Sequence, residues 1–203
     1  MTRIDSKRVF DLIVTTPALV LSLPVQAVLA LAVRVKLGSP VLFEQERPGL
    51  DDRIFVMRKF RTMLEPDPAK GLVSDADRLT AFGIFLRSTS LDELPTLWNI
   101  VRGDMSVVGP RPLLVRYLDR YSPEQARRHE VRPGLTGLAQ VSGRNAVSWD
   151  QRLALDVEYV DTHTLRGDLA IIGRTVAAVL RRDGIAAEGD ATMPEFDPPE
   201  RTT

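Results

Sequence analysis

The sequence predicts a mainly helical α+β fold. Its parts are an N-terminal re-entrant membrane helix, a small β-hairpin, and short interfacial amphipathic helices at the membrane surface. Three observations carry the prediction. A single long apolar run, Val9–Val33, holds Asp11 as its only charge. Two short strand-like runs flank a turn signal at Pro48–Gly49. Most of the remaining chain breaks into short helical patterns between prolines and glycines.

The chain has 203 residues, enough for one domain with a short appendage and a real core. Lys plus Arg total 27 and Asp plus Glu total 27, and this balance argues against a nucleic-acid partner while leaving local basic patches open. The absence of cysteine excludes disulfides and thiolate metal sites. With only His129 and His163 to supply imidazole, a zinc centre is disfavoured, so any metal is expected to be a hard cation on carboxylate and phosphate oxygens.

As continuous helix, Val9–Val33 would span about 37 Å, enough to cross a bilayer. Pro17 and Pro24 interrupt it, each removing a backbone donor and clashing with the preceding turn. Ser22, two residues before Pro24, is placed to bond back to a carbonyl that the break frees. Arg3, Lys7 and Arg8 precede the run and Arg34 and Lys36 follow it, so neither end is marked as the outer one. A helix that bends at Pro24 and returns keeps both flanks on one side. That reading is preferred over a straight span and over a buried soluble helix. In each membrane reading the rest of the chain folds in water against the bilayer. The boundaries are then 1–36 for the membrane-anchoring helix, 37–184 for the folded domain and 185–203 for an irregular tail.

After the helix, "VLFEQ" (41–45) and "RIFVMRKFRTM" (53–63) read as a hairpin joined by "ERPGLDD". "SDADRLTAFGIFLRS" reads as one helix with Ser74 as its N-cap. "LLVRYLDRY" and "PEQARRHEV" are short helical pieces, the second opening with Pro123 after Ser122, and "VRPGLTGLAQVSGRN" (131–145) is a glycine-rich loop around a short extended run. From Trp149 the pattern is helical again. In "TLRGDLAIIGRTVAAVLRRD" Leu165, Leu169, Ile172, Val176 and Val179 recur at helical spacing. That stripe fits a surface helix packed on the core, or an interfacial helix lying on anionic lipid. The tail after Gly184 is rich in Pro, Glu and Asp.

The segment "RSTSLDELPTLWNIVRGDMSVVGPRP" carries the chemistry. Ser90 to Glu93 matches a capping box, and acidic residues suit a helix start. Pro95 argues against Ser90 as the cap, because it would fall inside the helix and remove a hydrogen bond. Helix beginning near Leu94 leaves Asp92 and Glu93 on an exposed turn. Lys59, Arg61, Arg87, Arg111 and Arg144 lie beside turns, glycines or prolines, with Arg111 held between Pro110 and Pro112. Guanidinium groups bind phosphate oxygens well. A carboxylate attacking phosphorus needs such positive charge, with a divalent cation to spread the developing charge. The set therefore suits phosphoryl transfer, with one carboxylate attacking and its neighbour holding the metal.

With "KRVFDL", "FEQERPG", "KFRTM", "VRPGLTGLAQVSGRN" and "LDVEYV", that segment resembles the monotopic phosphoglycosyl transferases of the bacterial sugar transferase family. The matches follow family order over nearly the whole chain. They are most similar to small, single-domain members that start glycan assembly with N-acetylated, often bacillosamine-type, sugars. The resemblance implies that Asp92 attacks the β-phosphate of a UDP-sugar and that polyprenol (undecaprenyl) phosphate then takes the phosphosugar. It implies that Glu93 binds Mg²⁺, that Lys59, Arg87, Arg111 and Arg144 hold phosphate groups, and that Asp156 and Tyr159 contact substrate. It further implies a helix broken at Ser22 and Pro24, contact with membrane lipids, and a monotopic place on the cytoplasmic face of the bacterial inner membrane. Family members break at Ser-Pro, whereas here Leu23 precedes Pro24 and the serine stands at Ser22.

Overall fold

The computed structural model describes residues 6–143, 148–181 and 195–196. The chain forms two compact units. One is drawn from Met1–Gln45, Met57–Gly103 and Val176–Thr192, the other from Glu46–Val56, Asp104–Thr175 and Met193–Thr203. The class is the mainly helical α+β expected from the sequence, with a long apolar helix at the start.

In the first unit, helix α1 (Ser6–Lys36) runs unbroken through Pro17 and Pro24. The Ser22 hydroxyl donates to the Leu19 carbonyl at 2.9 Å, one residue before the Val20 carbonyl that Pro24 leaves without its helical donor. Gln26 in turn donates to the Ser22 oxygen at 2.9 Å. Along α1 the buried residues are Asp11, Thr15, Leu29 and Val33, two pairs at a spacing of one turn. Ile13, Leu21, Val28, Leu31 and Val35 are exposed. So large an apolar surface is not stable against water, and it attaches the chain to a membrane.

The hairpin pairs β1 (Leu42–Pro48) with β2 (Ile54–Phe60). Its turn holds Asp51 and Asp52 at positive φ, a conformation that short polar side chains tolerate. The single helix expected after Ser74 is two: α2 (Asp75–Arg78) and α3 (Ala81–Ser88). Leu79 is extended and bridges to Met63, and Thr80 caps the second helix by accepting from the Gly83 amide at 3.0 Å. Local capping overrides the continuous periodicity.

Helix α4 (Thr96–Arg102) packs along α1. Arg8 of α1 donates to the Ile100 and Val101 carbonyls at 2.5 and 2.7 Å, placing a cation on the negative end of α4. Gly103 ends the helix at φ +95, with the Arg8 guanidinium packed over it. Leu29, Val33, Leu37, Phe60 and Leu86 form the core of this unit, with Leu91 and Leu94 packed against it.

The second unit is built on a parallel pair that the sequence reading did not foresee, β3 (Ser106–Val108) with β4 (Gly134–Thr136). Short helix α5 (Pro123–Ala126) lies between them in sequence, capped by Ser122 and Gln125 with Pro123 in its first turn. Next come α6 (Leu138–Val141) and α7 (Trp149–Thr162), the latter capped by Ser148 and Gln151. Helix α8 (Leu165–Arg181) begins in this unit and ends in the first. Asp168 and Ile171 are its buried residues, whereas Leu165, Leu169, Val176 and Leu180 are exposed. Of the apolar stripe, Leu165, Leu169 and Val176 are thus exposed while Ile172 and Val179 are half-buried, a pattern that both a surface helix and an interfacial one allow.

Candidate active site

The first unit brings Lys59, Arg87, Asp92 and Glu93 together. After α3, Ser90 adopts φ +55, and Leu91–Glu93 forms a single 3-10 turn before α4. A left-handed Ser90 cannot act as the extended N-cap of a capping box, and its side chain makes no cap bond. The carboxylates therefore do not serve as a helix start. The exposure expected for this turn is corrected: Asp92 is buried, because Leu91 and Leu94 on either side of it are drawn into the core.

Lys59 of β2 donates to the Glu93 carboxylate, and both side chains are mostly enclosed. The pair is held in register by α4. Thr96 donates to the Arg58 carbonyl at 2.8 Å, and the Asn99 side-chain oxygen accepts from the Arg58 amide at 3.3 Å. Both backbone polar groups of Arg58, the residue before Lys59, are thus fixed by fully buried side chains one turn apart. Arg87 donates to the Thr62 hydroxyl at 3.0 Å. Burial lowers the pKa of its guanidinium, and the charge of nearby Asp92 opposes that shift. Arg61 serves structure: it donates to the Leu37 and Ser39 carbonyls just beyond the end of α1.

The second unit carries Arg111, Asp156 and Tyr159. Backbone contact positions "GPRP": a Cβ on Gly134 would lie 2.1 Å from the Gly109 nitrogen, so these two strands can approach only through glycine. The Gly134 amide donates to the Pro110 carbonyl at 2.9 Å. Arg128 donates to the Arg111 carbonyl at 2.6 Å and to the Asp156 carboxylate at 2.7 Å. Burial pushes the Asp156 carboxyl up, opposed by Arg128 and Arg152. The Tyr159 hydroxyl lies between the Val108 carbonyl, at 3.0 Å, and the Asp168 carboxylate, at 2.8 Å. Asp156 and Tyr159 are 2% and 3% exposed, the first tied to the Arg111 carbonyl through Arg128 and the second bonded to the Val108 carbonyl, so both brace the "GPRP" turn.

Three further arginines of this unit were not singled out by the sequence. Arg47 donates to the Pro112 carbonyl at 3.2 Å, and its pKa is lowered to about 10 by burial and by the charge of Arg111. Arg152 is lowered by burial and by Arg111. Arg128, 1% exposed, completes the group. Arg47 stands inside "FEQERPG", which was a signal; Arg128 and Arg152 lie on helical stretches where arginine is ordinarily solvated. The remaining sequence candidate, Arg144, lies outside the described residues.

Among the described residues, no three Asp, Glu, His or Cys side chains converge as a metal cage. Magnesium does not require one, since it takes one or two carboxylates together with phosphate oxygens and water. Glu93, mostly enclosed and already facing a cation, offers the oxygen atoms that such an ion needs.

The model of the bacterial sugar transferase family matches residues 2–182. The chain belongs to the bacterial sugar transferase family, a family of phosphoglycosyl transferases. It is 47% identical to an uncharacterized sugar transferase, EpsL, of Bacillus subtilis, over 94% of this chain and 95% of that protein. It is 43% identical to the UDP-glucose:undecaprenyl-phosphate glucose-1-phosphate transferase of Caulobacter vibrioides, over 87% of this chain and 70% of the relative. With the UDP-galactose-lipid carrier transferase of Erwinia amylovora the identity is 42% over 88% of this chain, which spans only 41% of that longer protein.

Proposed function

We propose that the chain moves a sugar 1-phosphate from a UDP-sugar to undecaprenyl phosphate, giving undecaprenyl-diphospho-sugar and UMP. The observation that carries this reading is the carboxylate pair on a turn that does not cap a helix, set among Arg87 and Lys59. A relative whose name states this reaction supports it.

Asp92 is the proposed nucleophile. Its carboxylate oxygen bonds to the β-phosphorus as the bond from phosphorus to the bridging oxygen breaks, and UMP leaves with that oxygen. A phosphate oxygen of the acceptor then bonds to the same phosphorus and releases the Asp92 carboxylate. Lys59, Arg87, Arg111 and Arg144 are proposed to hold phosphate groups, and Arg87, whose charge acts on Asp92, lowers the repulsion between two anions. Mg²⁺ held by Glu93 and the diphosphate would spread the charge that develops on phosphorus. The sugar is proposed to be N-acetylated, of the bacillosamine type, on the resemblance to small family members. Because relatives carry glucose and galactose in their names, both belong among the substrates tested.

Re-entry of α1, by a proline bend at Pro24 within a helix that stays continuous, is part of the same proposal, supported by the basic residues at both ends. It keeps the chain on the cytoplasmic face, where UDP-sugar is found, with Asp92 near the headgroups from which the acceptor phosphate emerges. A cysteine placed at Thr2 tests this, because the chain has none of its own. Reaction with an impermeant reagent from the periplasmic side would exclude re-entry.

The activity is tested by incubating membranes with UDP-sugars and undecaprenyl phosphate and measuring UMP. Release from at least one sugar is expected, together with a phosphosugar adduct by intact mass when the acceptor is omitted. Asp92→Asn should keep the fold and lose both signals. Substantial turnover by a clean Asp92→Asn preparation overturns the assignment.

A further inference from the structure

Glu195 and Phe196 lie in the acidic, proline-rich tail, which the proposed reaction does not use. Phe196 is nonetheless 2% exposed. Its ring stacks on Tyr121 with centroids 5.7 Å apart, meets Tyr117 edge-on at 5.6 Å, and tilts against Trp149 at 5.3 Å. Leu113 and Leu153 complete the apolar cage. The polar groups are matched too. The Phe196 amide donates to the Tyr117 hydroxyl at 3.2 Å, and its carbonyl accepts from Arg120. The Glu195 carboxylate pairs with Arg116 at 2.9 Å and with Arg120 at 3.4 Å. Ring, both backbone groups and the preceding charge each have a partner, which is how a short peptide is recognised rather than merely covered.

The rings of the cage also face outward onto cations. The Arg128 guanidinium lies 5.7 Å from the Tyr121 ring, and that of Arg152 lies 5.3 Å from Trp149. Arg128 is the side chain that grips the Arg111 carbonyl.

We propose that the surface formed by Leu113–Tyr121, Trp149 and Leu153 is a binding site for an acidic–aromatic peptide, occupied in cis by Glu195–Phe196. Its occupant makes Phe196 a positioning residue, fixing the Tyr121 and Trp149 rings against which Arg128 and Arg152 rest. The positioning half rests on Arg111 acting on phosphate in the proposed reaction; the binding half does not.

The test uses the full chain carrying Trp98→Phe, which leaves Trp149 as the only tryptophan. Phe196→Ala should shift Trp149 emission to longer wavelength. It should also raise KM for the UDP-sugar roughly tenfold, the scale of one weakened charge-assisted contact. A synthetic peptide of residues 193–199 should reverse both changes saturably, and the same peptide with alanine for phenylalanine should reverse neither. Glu195→Lys removes no core side chain and sets like charge against Arg116 and Arg120. It should give a smaller shift of the same sign, so the test survives if Phe196→Ala does not fold. Emission unmoved in both variants, or moved but not restored by peptide, overturns the binding site. Emission restored with KM unchanged throughout overturns the positioning role. If no UDP-sugar is turned over by the parent chain, the proposed function fails, while the emission arm still decides the binding site.

Discussion

Lys59 and Glu93 form an enclosed ion pair across β2 and the turn that carries Asp92. The carboxylate proposed to hold Mg²⁺ therefore already faces a cation, and ion and lysine compete for it. Glu93→Gln should raise the Mg²⁺ concentration needed for half-maximal turnover at least tenfold, about 1.4 kcal/mol of lost affinity. A magnesium titration of UMP release measures it. An unchanged midpoint places the metal elsewhere.

The pair depends on a clamp one residue away. Thr96→Val and Asn99→Leu each leave a polar group of Arg58 without its present partner. Each should cost about 1–3 kcal/mol, the penalty of an unsatisfied buried group. Thermal unfolding of the detergent-solubilised protein should show both losses. Thr96→Ser, which keeps the hydroxyl, should retain most of the stability, and a Thr96→Ser variant as unstable as Thr96→Val would count against the clamp.

Arg128 and Asp156 are 1% and 2% exposed. Removing the carboxylate strands a buried guanidinium, so Asp156→Ala should destabilise the fold by about 3–5 kcal/mol. Arg111→Ala should behave differently. It should leave the unfolding midpoint near wild type and slow turnover about 10²–10³-fold, as for a lost transition-state donor. Comparing melting with rate for the two variants separates strut from reactant, and equal loss of stability in both would erase the distinction.

His129 supplies a pH dependence. Burial, then the charge of Arg128, lower its pKa from 6.5 to about 4, against the opposing pull of Asp52. The ring fits as neutral imidazole, with Nδ1–H facing Asp52 and Nε2 accepting from Arg128 at 3.3 Å. Its folded pKa lies below its unfolded one, so the stability it contributes is present above pH 6.5 and is lost as pH falls toward 4. The loss should be on the order of 2–3 kcal/mol across that window. His129→Gln should flatten that part of the stability profile. A variant that tracks wild type between pH 6.5 and 4 assigns the acid sensitivity to other groups.

The sequence by itself determined what local chemistry controls. The apolar length of α1, the Pro-Gly hairpin, the cap at Ser74 and the helix that opens with Pro123 follow from neighbouring residues. Pro95 already argued against Ser90 as an N-cap, and the left-handed Ser90, which makes no cap bond, bears that out. The candidate cations Lys59, Arg87 and Arg111 were legible because turns, glycines and prolines mark them.

Tertiary structure decided what depends on partners distant in sequence. The parallel pairing of β3 with β4 joins segments too short to show a pattern of their own. The burial of Asp92 comes from neighbouring leucines drawn into the core, and that of Asp156 from Arg128, 28 positions earlier. Phe196 lies in a stretch whose composition reads as irregular, yet rings from residues 117, 121 and 149 enclose it. Burial and pairing are properties of who meets whom. Local spacing settles which element a residue belongs to, and only packing settles whether its charge faces water, substrate or another side chain.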